Sequence, residues 1–263
     1  MKIQVQKSID SLNLRQREAV EIASGPLLIV AGAGSGKTRT LTVKIAHLIE
    51  NLGVRVSEIL ALTFTNKAAG EMRDRMRQMT PENADRITIT TFHSFGAMLL
   101  RRWHDHFGYP AGFTIFDDDD QERLMKAVIS EVAPNSKEFT PRKMMNFVSQ
   151  AKNDLLFPDE FNPPHLAKDV IRAAYRLYQE KLKLNSALDF DDLIFATYHL
   201  LKANPELLSK LHERYSFFLV DEYQDTNFAQ YRLLEILSKI SQNICVVGDE
   251  DQSIYGWRGA NIR

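Results

Sequence analysis

Short apolar runs alternate along this chain with longer stretches of helical period. Leu27-Leu28-Ile29-Val30, Ile59-Leu60-Ala61-Leu62-Thr63-Phe64, residues 87–91, Phe217-Phe218-Leu219-Val220 and Ile244-Cys245-Val246-Val247 predict buried strands. Between the first two, Leu41, Ile45, Leu48, Ile49 and Leu52 mark one face of a helix over 40–52, and Gly53 stops it. Thr65-Asn66 opens a helix to about residue 79, and another follows Phe92-His93-Ser94-Phe95 to about 107. Upstream, Asn13 with Gln16 three positions later has the form of a capping box, Leu14, Val20 and Ile22 supply apolar positions, and Gly25 ends that helix. Residues 1–12 show little pattern. Strands alternating with helices predict an α/β domain on a parallel sheet.

The pattern changes at Ile115-Phe116-Asp117-Asp118-Asp119-Asp120. From there to about residue 188 no convincing strand is visible. Helical periods run over 122–132, over 141–152 with Thr140 as cap and Pro141 in the first turn, and over 165–184. The four aspartates admit a metal site or a helix cap with negative charge at a helix start, and the cap is the simpler reading. Asp189-Phe190-Asp191-Asp192-Leu193 opens a further helix, and an amphipathic helix covers 229–240 before the last strand. Residues 1–116 with 189–263 therefore read as one discontinuous α/β domain, interrupted by an all-helical insertion over 117–188.

Composition adds few constraints. The 263 residues are 44% hydrophobic and 25% charged, ordinary for a globular protein. Length alone suggests about two domains. With a net charge of −1, no global basic field points to nucleic acid, so any such contact has to use a local surface. Arg73 and Arg77, one helical turn apart, read as a solvated face. Cys245 sits within an apolar strand and reads as a buried, inert thiol. With no leader-like apolar segment and no run of about 18 apolar residues, a cytoplasmic location is the expectation.

The chemistry concentrates at strand ends. Ala31-Gly32-Ala33-Gly34-Ser35-Gly36-Lys37-Thr38 lies between a strand and a helix, the setting of a phosphate-binding loop. Its glycines let backbone N–H groups converge on a phosphate chain, and the helix behind adds free N–H groups and a positive dipole end. Lys37 can reach the β- and γ-phosphates, and Thr38 can hold Mg²⁺. The strict motif has Gly where Ala31 stands; a plain glycine-rich turn is the alternative, and the flanking strand and helix argue against it. Downstream, the strand ending in Asp221-Glu222 supplies what such a loop needs as partner: Asp221 as Mg²⁺ carboxylate and Glu222 to deprotonate the attacking water. After the last strand, Gly248-Asp249-Glu250-Asp251-Gln252-Ser253-Ile254-Tyr255-Gly256-Trp257-Arg258-Gly259 places Gln252 where it could sense a γ-phosphate. Trp257 either stacks on an unpaired base, worth about 1–3 kcal/mol, or is with Tyr255 a core aromatic.

Taken together these residues resemble the UvrD/Rep/PcrA family of superfamily 1 DNA helicases, over nearly the whole chain and in the family's motif order. Residues 13–20 around Gln16 look like its adenine-contacting motif. Ala31 to Thr38, followed by Arg39, matches its first motif with Ala31 included. Thr63-Phe64-Thr65-Asn66-Lys67-Ala68 and Thr91-Phe92-His93-Ser94 look like its motifs along single-stranded DNA, and Asp189-Phe190-Asp191-Asp192-Leu193 is also typical. Val220-Asp221-Glu222-Tyr223-Gln224-Asp225-Thr226 matches the Mg²⁺ and catalytic motif, and residues 248–259 match the segment that couples ATP to DNA.

The resemblance implies two RecA-like P-loop NTPase domains, each with a helical insertion, closing on ATP and ratcheting single-stranded DNA 3′ to 5′ into a duplex junction. It implies that Gln16 and Arg39 contact the nucleotide, that Ala31 to Thr38 bind phosphates and Thr38 with Asp221 binds Mg²⁺, and that Lys37, Asp221, Glu222 and Gln252 serve hydrolysis. It places Thr63, Phe64, Asn66, Thr91, His93, Tyr255, Trp257 and Arg258 along the DNA. The second RecA-like domain is not within residues 1–263, so the expectation is an N-terminal half motor, weakly active or inactive in hydrolysis by itself. Two alternatives stay open: a nucleotide- and DNA-binding module with little turnover, and the motor part of a helicase–nuclease of the RecB/AddA type.

Overall fold

In the computed structural model, residues 2–32, 34–136 and 138–249 are described. They form two compact units. One takes in the chain up to Phe92, Asn204–Thr226 and the stretch from Leu234 on; the other takes in His93–Ala203 and Asn227–Leu233.

The first unit begins with helices α1 (Lys2–Asp10) and α2 (Leu14–Glu21), then alternates β1 (Leu27–Val30), α3 (Lys37–Glu50), β2 (Ile59–Thr63), α4 (Asn66–Met79) and β3 (Thr88–Thr91). The second carries α5 (Phe92–Arg102, from His93 on), α6 (His104–Phe107), β4 (Thr114–Ile115), α7 (Asp118–Val132), α8 (Pro141–Asn153), α9 (Lys168–Leu184), β5 (Ala187–Leu188) and α10 (Asp192–Ala203). The chain then runs through α11 (Pro205–Arg214), β6 (Phe217–Val220), α12 (Phe228–Ser238) and β7 (Ile244–Gly248).

Strands β1, β7, β6, β2 and β3, in that order, build one parallel sheet. This is the α/β architecture expected. The register places Leu27 beside Cys245, Leu219 beside Cys245 and Ala61 beside Leu219. These side chains point to one face, where they join Val5 and Ile9 of α1, Val20 of α2, Leu41, Ile45 and Leu48 of α3, and Met72 and Met76 of α4 in one apolar core. Cys245 is buried there, and burial pushes its thiol up to about 11, so it stays protonated and inert.

α1 adds to the sequence reading, which saw little pattern over residues 1–12. Its nine residues offer only Val5 and Ile9 as buried apolar anchors, too few for a visible period. α11 was likewise not anticipated. The capping box of α2 is present: Asn13 Oδ1 accepts from the Gln16 N–H at 2.9 Å, and Gln16 Oε1 accepts from the Asn13 N–H at 3.0 Å. Arg77 pairs with Asp74 and Asp85 on an exposed face, as a solvated helix would.

In the second unit, Asp117 caps α7 by accepting the Asp120 N–H at 2.9 Å, and the remaining aspartates occupy its first turn. Met125, Val128, Met144, Val148, Ile171, Tyr175 and Tyr178 form the core of α7, α8 and α9. The stretch from 115 to 188, expected to lack strands, takes part in a two-residue parallel ladder: Thr114 pairs with Ala187 and Ile115 with Leu188. A pairing this short and this distant leaves no local period. The unit is also wider than the insertion read from sequence at 117–188, because α5 and α10 pack against each other. A Cβ on Gly96 would meet the Leu193 carbonyl oxygen at 2.2 Å.

A buried ion cluster pins α8 to the start of α10. Lys152 Nζ lies 2.5 Å from Asp189 Oδ2 and 2.8 Å from Asp192 Oδ1. The two aspartates exchange backbone hydrogen bonds, Asp189 N–H to Asp192 Oδ2 at 3.1 Å and Asp192 N–H to Asp189 Oδ1 at 2.8 Å. Burial works against the lysine's charge, but Asp189 and Asp192 outweigh it and hold Lys152 protonated. Burial, then Asp189, pushes Asp192 up to about 7.

Candidate nucleotide site

The C-terminal ends of β1, β6 and β7 are neighbours in the sheet, and the loop after β1 opens there. Open parallel sheets bind ligands at this edge. The ladder extends one step past β1, with the Ala31 N–H donating to the Gly248 carbonyl at 3.1 Å. The loop then turns through Gly34 (φ 69°) and Gly36 (φ 85°), left-handed conformations that glycine adopts without strain. Gly36 is the N-cap of α3 and has no side chain to satisfy the first-turn N–H groups, so these donors and the positive helix end face the loop. Ala33 lies outside the described residues.

Lys37, the first residue of α3, folds its side chain back under the loop. Its Nζ donates to the Ala31 carbonyl at 3.0 Å, to the Gly32 carbonyl at 3.5 Å and to Asp249 Oδ2 at 3.0 Å. Thr38 Oγ1 donates to Asp221 Oδ2 at 2.7 Å. Asp221 directly follows β6 and is buried. Burial raises its carboxyl above the usual range, the Thr38 hydroxyl works the other way, and Glu222 adds to the rise. A hydroxyl and a carboxylate oxygen from two elements thus converge on one point. That donor set fits Mg²⁺, which takes hard oxygen ligands and keeps several waters.

Glu222 follows in the left-handed region (φ 53°), unusual for a residue with a Cβ and a sign that its surroundings hold it in place. Its N–H donates to Asp221 Oδ1 at 3.1 Å, and its Oε2 accepts from Gln224 Nε2 at 2.7 Å. On the other side of the loop, Gln16 Nε2 donates to the Ser35 carbonyl at 2.7 Å, so the capping side chain of α2 also touches the glycine-rich loop. Arg39 is exposed and donates to Ser11 Oγ at 2.6 Å.

Of the residues read as lining DNA, Thr63 and Thr91 are register partners at the ends of β2 and β3, both buried, with Thr63 Oγ1 donating to the Thr65 carbonyl at 3.0 Å. Phe64 follows directly, and Asn66 opens α4 from the Thr65 cap. His93 belongs to the second unit, where its ring stacks on Phe190 at 3.9 Å. Gln252, Tyr255, Trp257 and Arg258 lie outside the described residues.

Two site residues had no role in the sequence reading. Asp249 ends β7 beside the loop and pairs with Lys37; an acidic residue at the end of an apolar strand was the available signal, the same one that pointed to Asp221. Gln224 sits between Glu222 and Asp249; it lies inside the motif-like stretch 220–226, but no individual role was read for it.

A phosphate-type loop at one strand end, beside a carboxylate at the end of another, on a five-stranded parallel sheet, defines a RecA-like P-loop NTPase domain. The chain belongs to the UvrD/REP helicase family, whose N-terminal domain matches residues 12–263. It is 44% identical over 261 residues to the ATP-dependent DNA helicase PcrA of Leuconostoc citreum, covering 98% of this chain and 35% of that protein. It is 46% identical over 259 residues to the PcrA of Staphylococcus epidermidis and 44% identical over 257 residues to that of Staphylococcus aureus, with 97% of this chain covered in each case. The chain thus spans 35% of the length of these relatives.

Proposed function

We propose that this chain is the N-terminal motor part of an ATP-dependent 3′–5′ DNA helicase, binding Mg-ATP at the C-terminal edge of the sheet and single-stranded DNA beyond β2 and β3. The observation that carries the reading is the 2.7 Å contact between Thr38 Oγ1 and Asp221 Oδ2, with the Lys37 ammonium buried beside the same loop.

In this mechanism the N–H groups of the loop and the start of α3 hold the phosphate chain, and Lys37 moves from the loop carbonyls to the β- and γ-phosphates. Gln16, on the far side of the loop, and Arg39 contact the nucleotide. Thr38 and Asp221 would hold Mg²⁺, which would supply charge neutralisation at the phosphate oxygens. Glu222 orients the attacking water and accepts its proton, and Gln252 senses the γ-phosphate. Thr63, Phe64, Asn66, Thr91, His93, Tyr255, Trp257 and Arg258 line the DNA path. Because the relatives continue well beyond the matched 35% of their length, we read hydrolysis and duplex separation as work shared with a second RecA-like domain.

The test is the affinity of the chain for a fluorescent ATP analogue, with and without Mg²⁺. Mg²⁺-dependent binding that Lys37→Ala abolishes is expected; wild-type protein that binds no nucleotide would overturn the reading. ATP turnover with and without single-stranded DNA then separates a motor half from a binding module.

A further inference from the structure

The side-chain amide of Gln224 is used at both ends. Its Nε2 donates to Glu222 Oε2 at 2.7 Å, and its Oε1 accepts the Asp249 backbone N–H at 3.0 Å. The two bonds allow only one orientation of the amide, because a flip would set oxygen against carboxylate and NH₂ against N–H. Gln224 is buried on the 3₁₀ turn Tyr223–Asp225 directly after β6 and Glu222. The end of β7 runs tightly across it: a Cβ on Gly248 would come within 3.1 Å of Gln224 Oε1 and 3.4 Å of its backbone nitrogen. A side chain at 248 would press on the glutamine amide, which would have to give by a few tenths of an ångström. Asp249, whose N–H the glutamine holds, grips Lys37 Nζ with its own carboxylate at 3.0 Å.

A continuous polar path therefore runs from the phosphate-loop lysine through Asp249 and the Gln224 amide to the Glu222 carboxylate. Among the described residues, the glutamine supplies the side-chain hydrogen bond that orients the carboxylate of this left-handed residue.

We infer that Gln224 is a positioning residue: it aims Glu222 at the attacking water and ties that aim to the place of Asp249, the start of the segment that leaves β7. This rests on reading Glu222 as the base. When Lys37 turns from Asp249 to phosphate, Asp249 gives up that ion pair, and the glutamine carries the change at the strand end to Glu222. Nucleotide capture and water activation are thereby linked through one amide.

The test uses Gln224→Leu, Gln224→Glu and Glu222→Gln in protein of the relatives' full length carrying these residues. It measures kcat and KM for ATP with saturating single-stranded DNA, together with Mg-ATP affinity. Gln224→Leu removes both bonds. Gln224→Glu keeps the acceptor for Asp249 but replaces the donor to Glu222 with a second carboxylate. Both are expected to lower kcat by about 10- to 100-fold, as lost supporting hydrogen bonds do around other catalytic groups, with KM and Mg-ATP affinity within about twofold of wild type. A kcat at wild-type level in either folded variant overturns the inference, and so does a loss of Mg-ATP affinity as large as the loss of kcat. If Gln224→Leu does not fold, Gln224→Glu decides alone. Glu222→Gln separates the two failures. If it abolishes turnover while the Gln224 variants keep it, only the role of Gln224 falls; if it keeps turnover, Glu222 is not the base.

Discussion

Lys37 and Asp249 form a buried ion pair, Nζ to Oδ2 at 3.0 Å, with 7% and 3% of their side chains exposed. The lysine that a phosphate chain would need is thus already charge-compensated inside the protein. In the proposed nucleotide-bound state, a phosphate would compete with a carboxylate for it, and that carboxylate directly follows β7.

Removing the lysine alone takes away the ammonium that pairs with the buried Asp249 carboxylate. Breaking such a pair from one side costs about 3–5 kcal/mol. Lys37→Met is therefore expected to lose nucleotide affinity and also to unfold at lower urea. The double variant Lys37→Met/Asp249→Asn is expected to regain most of the stability and none of the affinity. Urea unfolding and nucleotide titration on the same samples check this. A single variant as stable as wild type would mean that the pair carries no net stabilisation.

Thr38→Val keeps the shape of the side chain and deletes the donor to Asp221. Burial already raises the Asp221 carboxyl, and the Thr38 hydroxyl restrains the rise, so the variant moves it further up. Binding Mg²⁺ requires the ionised carboxylate. The Mg²⁺ concentration needed for nucleotide binding is expected to increase about tenfold or more, in line with the roughly 1.5–3 kcal/mol of a hydrogen bond to a charged group. The increase is expected to be larger at pH 6 than at pH 8. An unchanged Mg²⁺ requirement at both values would separate Thr38 from the metal.

What the sequence made legible follows from the range of each interaction. Four strands of the main sheet are apolar runs with clear ends, β3 is a β-branched run of Thr and Ile, and α3, α4, α7 and α8 carry local periods, the last three with side-chain caps, so they could be read from local sequence. The neighbourhood of Thr38 and Asp221 could be read too, because a loop of this composition leaves few places for its acidic partner. The rest depends on contacts between distant residues. α1 hides because Val5 and Ile9 gain their burial from α3 and the sheet rather than from a repeat within nine residues. The β4–β5 ladder joins Thr114 to Ala187, and no window of local sequence contains both. Gln224 was passed over for the same reason: its partner Asp249 arrives only when β7 docks beside β6.

The Lys152–Asp189–Asp192 cluster gives the second unit a pH dependence of known sign. Asp192 sits at about 7 in the folded protein, above the ordinary carboxylate value. Between those two values the folded chain keeps a proton that the unfolded chain has released, so this group's contribution to stability falls as pH rises toward 7. Asp192→Asn does not titrate. The difference in unfolding free energy between variant and wild type is therefore expected to shift in the variant's favour from pH 5 to pH 8. A difference that stays constant over that range would mean that Asp192 is ionised throughout.

Gly96 marks a close approach of α5 to α10 in the second unit. Its added Cβ would lie 2.2 Å from the Leu193 carbonyl oxygen, 3.1 Å from the Leu193 carbonyl carbon and 3.0 Å from Thr197 Oγ1. Thr197 Oγ1 is itself committed to that same carbonyl at 2.7 Å, so neither neighbour is the free end of a flexible side chain. Alanine would otherwise favour a helix interior over glycine by about 1 kcal/mol, and Gly70 in α4, with open space around its Cβ, is the site where that gain should appear. At Gly96 the clash with backbone dominates, because α10 has to move away from α5. Gly96→Ala is expected to destabilise by at least the roughly 1–3 kcal/mol typical of overpacking, while Gly70→Ala is expected to be neutral or stabilising. Thermal unfolding of the two variants side by side decides the matter: equal shifts would mean that α5 and α10 are not packed at this distance.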